Sequence, residues 1–172
     1  MKILEEELDL NLYYHCLEHT SDVVRAAESI AIQEGVTDEA LFLLKSAATY
    51  HDAGFVKVYD DNEVIGAEMA AEILPEYGYT PEQVAIVKEL IFVTRIPHKP
   101  KNHLEKIMCD ADLDYLGRND FHQISERLCR ELMERGKIKD HRHWDEVQVG
   151  FFKLHKYFTE TSKNLRNAKK KQ

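Results

Sequence analysis

Apolar and small residues recur at the spacing of one helical face from about Leu10 to Gln33: Leu12, Tyr13, Cys16, Leu17, Thr20, Val23, Val24, Ala27, Ile30 and Ala31. Gly35 supplies the stop. From Ala40 to Tyr50 only Lys45 is charged, which predicts a central helix buried nearly all round, capped by Thr37 or Asp38. A third helix is expected from about Glu63 to Leu74, ended by Pro75. Thr80-Pro81-Glu82-Gln83 joins an N-cap, a first-turn proline and a capping-box glutamine, and opens a fourth helix reaching about Thr94. Prolines break the next segment, residues 95–101. Asn102 with Glu105 opens a helix ending near Gly117, and Asp120 with Gln123 opens one ending at Gly136. The last begins near Asp140 and carries Trp144, Val147, Phe151, Phe152 and Phe158. Strand signals are confined to the short run 55–59. The pattern predicts an all-α, single-domain bundle of about seven helices around the helix of residues 39–53. Tyr13, Tyr14, Phe151 and Phe152 are read as core.

Composition sharpens this picture. At 172 residues and 44% hydrophobic content, one domain with one core is expected, over residues 1–161. The net charge of −8 argues against general nucleic-acid binding. Residues 162–172 hold five basic groups and no acid, leaving 18 basic and 31 acidic groups before them. That basic end is read as a tail, a frayed and solvated helix terminus. No stretch approaches the roughly 20 apolar residues of a membrane span, and the first residues do not resemble a signal peptide. Cys16, Cys109 and Cys129 form no CxxC pair and suit buried thiols in a reducing cytoplasm. A monomer or a homodimer fits equally well.

Candidate chemistry centres on His51-Asp52. With nine His and twelve Asp in the chain, chance supplies about 0.6 such dipeptides, so position must carry the weight. The pair ends the most apolar helix, where unpaired carbonyls and the helix dipole favour a cation. Imidazole and carboxylate together suit Mn, Fe, Co, Ni or Zn, and carboxylate with water suits Mg. His51 by itself also fits an ordinary core histidine. His19 lies on the rim of its helix's apolar face, about 20° from Leu12 and Ile30, with His15 about 40° further out. Asp110, Asp112 and Asp114 crowd one turn of a later helix. They repel one another and oppose its dipole unless a cation lies near. Asp112, on one rim, is the better ligand candidate and Asp114 the second; Asp110 is placed furthest out.

Residues 95–103 contain Arg95, Lys99, Lys101, His98 and His103 and no acid, and lead into a helix N-terminus that favours anions. Arg95, Lys99 and Arg118 are therefore candidates for contacting a phosphoryl group.

Three segments together resemble the HD-domain metal-dependent phosphohydrolase superfamily. They are His19-Thr20 with Val23, then Ala47-Ala48 followed by His51-Asp52-Ala53-Gly54-Phe55, then Asp110 to Gly117. The resemblance covers roughly residues 11–120. It implies an all-α fold with one divalent metal ion held by His19, His51, Asp52 and Asp112, and hydrolysis of a small phosphorylated substrate, often a nucleotide, by metal-activated water. Asp52 would also orient or deprotonate that water. Many relatives have His-Glu where this chain has Asn62-Glu63, and that His serves a second metal in binuclear members. Asn62 therefore points to one metal, with His98 and His103 as the residues left for a second. A silent HD module that regulates by binding is the competing reading. An HD-like di-iron oxygenase is disfavoured because it needs more ligands than four.

Overall fold

The computed structural model describes residues 6–170. Eight α-helices lie wholly within these residues: α1 (Leu17–Gln33), α2 (Asp38–Tyr50), α3 (Asn62–Ile73), α4 (Pro81–Phe92), α5 (His103–Asp112), α6 (Phe121–Glu134), α7 (His141–Leu154) and α8 (Glu160–Lys170). Single 3₁₀ turns follow α2, α3 and α5, at Ala53–Val56, Leu74–Tyr77 and Asp114–Gly117. No strand occurs among the described residues, and no helix there is long and apolar enough to cross a membrane.

The main core joins one face from each of the first five helices. Val23, Ala27, Ile30 and Ala31 of α1 meet Leu43, Leu44, Ala47 and Ala48 of α2, with Val87, Leu90 and Ile91 of α4 and Ile107, Met108 and Ala111 of α5. Alanines on α1, α2, α3 and α5 let the backbones approach closely, so groups on different helices can converge on one point. The central helix is less enclosed than its composition predicts. Phe42 is 54% exposed and stacks on Tyr79. A second cluster is aromatic: Tyr14, Leu113, Tyr115 and Leu116 pack with Phe121, Leu128, Phe151 and Phe152. It ties α6 and α7 to the end of α5.

Three expectations are corrected. The first helix begins at Leu17, seven residues after the predicted start. Leu12 and Tyr14 are buried, but in a looped segment whose Tyr14 and His15 N–H groups donate to the Glu131 carboxylate. A distant acid there takes the place of intrahelical carbonyls. The predicted last helix is two, α7 and α8. Asp110 accepts from the N–H groups of Phe158 and Thr159 and from the Thr159 hydroxyl, and so fixes the break between them. The basic tail assigned to residues 162–172 is, through Lys170, docked helix. Arg166 makes a two-pronged bond to Asp114 at 2.7 and 2.9 Å, and Ser162 is buried.

Asp110, placed outermost by helical angle, is fully buried. Burial pushes its carboxyl up from the ordinary range, and the Thr159 and Phe158 donors only partly offset this. Asp110→Ala orphans the buried Thr159 N–H and the half-buried Phe158 N–H. It is expected to lower the unfolding free energy by about 2–4 kcal/mol in denaturant titrations. A change below about 0.5 kcal/mol would mean that α8 is held by other contacts.

Candidate metal centre

α2 delivers His51 and Asp52 as it ends. His51 is 1% exposed, and its Nδ1 donates to the Ala48 carbonyl at 2.8 Å. That bond fixes the ring and turns Nε2 outward as the free nitrogen. α1 brings His19 alongside, with its Nε2 3.4 Å from that of His51. α5 ends at Asp112, whose Oδ1 lies 3.4 Å from His19 Nε2 and 3.5 Å from His51 Nε2. Asp52 Oδ2 lies 3.2 Å from His51 Nε2 and 3.4 Å from His19 Nε2. Among the described residues, His19, His51 and Asp112 form a group whose ligand atoms all lie within 4.8 Å of one another, and Asp52 meets both of its imidazoles.

Two nitrogens and two carboxylate oxygens thus come together, each nitrogen lying 3.2–3.5 Å from the other and from both oxygens. This is a donor set suited to a transition-metal dication. Asp52 Oδ2 supplies the fit test: it is buried and accepts no hydrogen bond. A buried carboxylate oxygen without a donor is costly unless a cation meets it. Electrostatics point the same way. Burial alone would lower the His51 pKa, yet the Asp52 and Asp112 carboxylates outweigh burial and hold it well above the ordinary imidazole value. Burial likewise works to raise Asp112, but hydrogen bonding by His19 and His51 takes it well below the carboxylate range; Asp52 is also lowered, chiefly by His51. The carboxylates demand positive charge between them, and a dication provides more of it than a proton.

Asn62, at the first turn of α3, donates from Nδ2 to Asp52 Oδ1 at 3.3 Å and to the His51 carbonyl at 3.4 Å. It orients Asp52 so that Oδ2 faces the histidines. His98 and His103 do not converge on a second site. His98 Nε2 lies 3.0 Å from the Thr94 carbonyl and 3.9 Å from Asp112 Oδ2, whereas His103 pairs with Glu34 at 3.5 Å.

The remaining candidates are placed as follows. Asp114 is held by Arg166. Arg95 pairs with Asp61 and Glu63 at the rim, next to Ile96, which lines the cavity over the centre. Lys99 does not reach this cavity; it borders a separate depression with Pro97, Lys101 and Glu105. Arg118 lies in a polar cleft on the other side of His19 and Asp112, but Asp22 at 2.6 Å and Asp120 at 2.5 Å already take its guanidinium. Lys99 thus borders a different depression, and Arg118 shares a cleft with His19 and Asp112 while paired to two acids. Pairing with acids far along the chain leaves no local signature.

The cavity has a volume of about 330 Å³. His19, Asp52 and Asp112 line one side, and Phe55, Leu116, Trp144, Gln148, Phe151 and Phe152 are among the residues of the others. Phe151 and Phe152, expected in the core, are half-buried in its wall. Pattern reading also passed over His15 and Glu131, whose link across the chain has no local signal beyond a histidine four residues before His19.

Comparison with known proteins agrees with this architecture. The crystal structure of a predicted HD superfamily hydrolase from an uncultured Thermotogales bacterium superposes with a TM-score of 0.67. It is 24% identical and aligns over 98% of this chain and 81% of its own, a likeness of fold. An uncharacterised protein of Clostridium beijerinckii is 31% identical over 111 residues, 62% of this chain and 68% of that one. The HD-domain family model matches residues 16–114, the segment that supplies both histidines and both aspartates of the centre. The chain belongs to the HD-domain family.

Proposed function

We propose that this protein is a metal-dependent phosphohydrolase acting on a small phosphorylated metabolite, with one divalent ion held by His19, His51, Asp52 and Asp112. The observation that carries the reading is the unpartnered buried Oδ2 of Asp52 beside two imidazole nitrogens, at the side of an open cavity. The mixed nitrogen and oxygen donor set favours Mn, Fe, Co, Ni or Zn over Mg. Such an ion, when bound, supplies Lewis acidity and a more acidic water.

The chain's own residues supply the rest. The Ala48 carbonyl holds the His51 tautomer, and Asn62 holds Asp52 in place to orient the attacking water. Aromatic walls exclude bulk water and accept a flat or apolar organic group, and the Gln148 amide offers it a polar contact. A nucleoside meets that description. Among the described residues no Lys or Arg lines the cavity, which favours a single phosphate over a polyphosphate chain.

The test is elemental analysis of purified protein together with hydrolysis of a panel of nucleotides and simple phosphate esters. About one transition metal per chain is expected, with activity lost on chelation and restored by the same metal. Finding no metal and no metal-dependent hydrolysis would falsify the proposal and leave a silent HD module.

A further inference from the structure

A second polar cluster stands on the wall of the same cavity. His15 Nδ1 lies 2.5 Å from Glu131 Oε1. Glu131 is fully buried in the interior of α6, yet four groups converge on its carboxylate. The N–H groups of Tyr14 and His15 donate to Oε2 at 2.9 and 3.2 Å, and the Tyr59 hydroxyl donates to Oε1 at 2.9 Å. Burial works to raise the Glu131 carboxyl, but His15 and these donors more than offset it and keep the group ionised. An ionised partner at Nδ1 means that Nδ1 carries a proton, and Nε2 becomes the working nitrogen of the ring.

The ring is also clamped on its face. Phe55 stacks on it with centroids 4.1 Å apart, and Tyr59 meets its edge. Nε2 has no protein partner among the described residues, and His15 lines the cavity together with Asp52 and His19. The His15 and His19 ring centroids are 6.3 Å apart. His15 therefore stands in the same cavity as His19, Asp52 and Asp112, within reach of an ester whose phosphoryl group lies against those residues. A histidine needed only for packing would not line a cavity with one ring nitrogen unpartnered among the described residues and a buried acid held to the other. Both residues lie outside the segment matched by the family, 16–114.

We infer that His15 is the catalytic proton donor to the leaving group and that Glu131 is its positioning residue; the inference rests on the phosphohydrolase reading. As the water oxygen bonds to phosphorus, the bond from phosphorus to the ester oxygen breaks and its electron pair goes to that oxygen. The proton on His15 Nε2 transfers there, releasing an alcohol and phosphate. The proton lost by the attacking water passes to bulk, from which neutral His15 is recharged. Glu131 holds the ring in position through Nδ1 and so keeps Nε2 turned to the leaving oxygen.

The test compares two esters on the metal-loaded full chain. From a nucleoside 5′-monophosphate the nucleoside leaves as an alkoxide and needs a proton; from p-nitrophenyl phosphate a stable phenolate leaves and does not. His15→Gln is expected to lose about 100-fold in kcat on the first and less than about 5-fold on the second. Glu131→Gln should show the same selectivity, less steeply. Bound metal should be unchanged in both variants. In the metal-free wild type, proton NMR should show a far-downfield Nδ1–H resonance that disappears in both. Equal losses on the two esters, or loss of metal from His15→Gln, would overturn the role of His15 while leaving hydrolysis intact. If the wild type hydrolyses neither ester, the phosphohydrolase reading fails and this role goes with it. Should Glu131→Gln not fold, His15→Gln and His15→Asn decide the matter by themselves.

Discussion

His51→Ala is expected to reduce bound transition metal from about one ion per chain to under a tenth, and hydrolysis by at least about 1000-fold. The substitution removes the donor that touches both Asp52 and His19 and leaves two facing carboxylates with less positive charge between them. The helices should survive, because His51 stands at the C-cap of α2 and the packing of Leu43, Leu44, Ala47 and Ala48 is untouched. Elemental analysis and circular dichroism on one preparation separate the two effects. Retained metal with a normal spectrum would remove His51 from the ligand set. A collapsed spectrum would mean that the ring is needed for packing.

Gly54→Ala is expected to cost about 3 kcal/mol or more of stability, among the largest effects of a single methyl group in this chain. A Cβ at this position would overlap the carbonyl group of Asn62, so backbone rather than a flexible side chain has to move. The same strain displaces Asn62 from Asp52, so metal affinity should fall even where folding is retained. Gly150→Ala is the internal control. It sits within α7, a Cβ there meets nothing within 4 Å, and the change should be neutral or stabilising by up to about 1 kcal/mol. Thermal melts of the two variants give the comparison. Similar midpoints would mean that the turn after α2 is not tightly held.

Helical periodicity is enough to put His19 on the rim of an apolar face and His51 at the end of the most apolar helix; the fold adds that Ala27, Ala31, Ala47 and Ala48 of these two helices share one core. It also puts Asp112 at the edge of an apolar face. The same geometry fails for Asp110, since an angle around one helix says nothing about what covers it. Phe158 and Thr159, 48 and 49 residues later, close over that acid. Arg118 shows a related limit: a basic residue reads as uncommitted until Asp22, 96 positions earlier, is found against it. The early start given to the first helix has a similar origin. Leu12, Tyr13 and Cys16 keep helical spacing, but Glu131 captures the backbone N–H groups that a helix would have used. Local pattern carries the elements and their inward faces. Long-range polar pairs decide where elements stop and which charges are spent.

The cavity is assembled from two separable parts. The candidate metal ligands come from α1, α5 and the end of α2, inside the segment shared with the family, whereas Trp144, Val147, Gln148, Phe151 and Phe152 come from α7, beyond it. Exchanging those five side chains leaves every candidate ligand in its own helix. α7 is therefore the natural cassette for re-engineering: a library varied only at these positions would sample new substrates on unchanged chemistry.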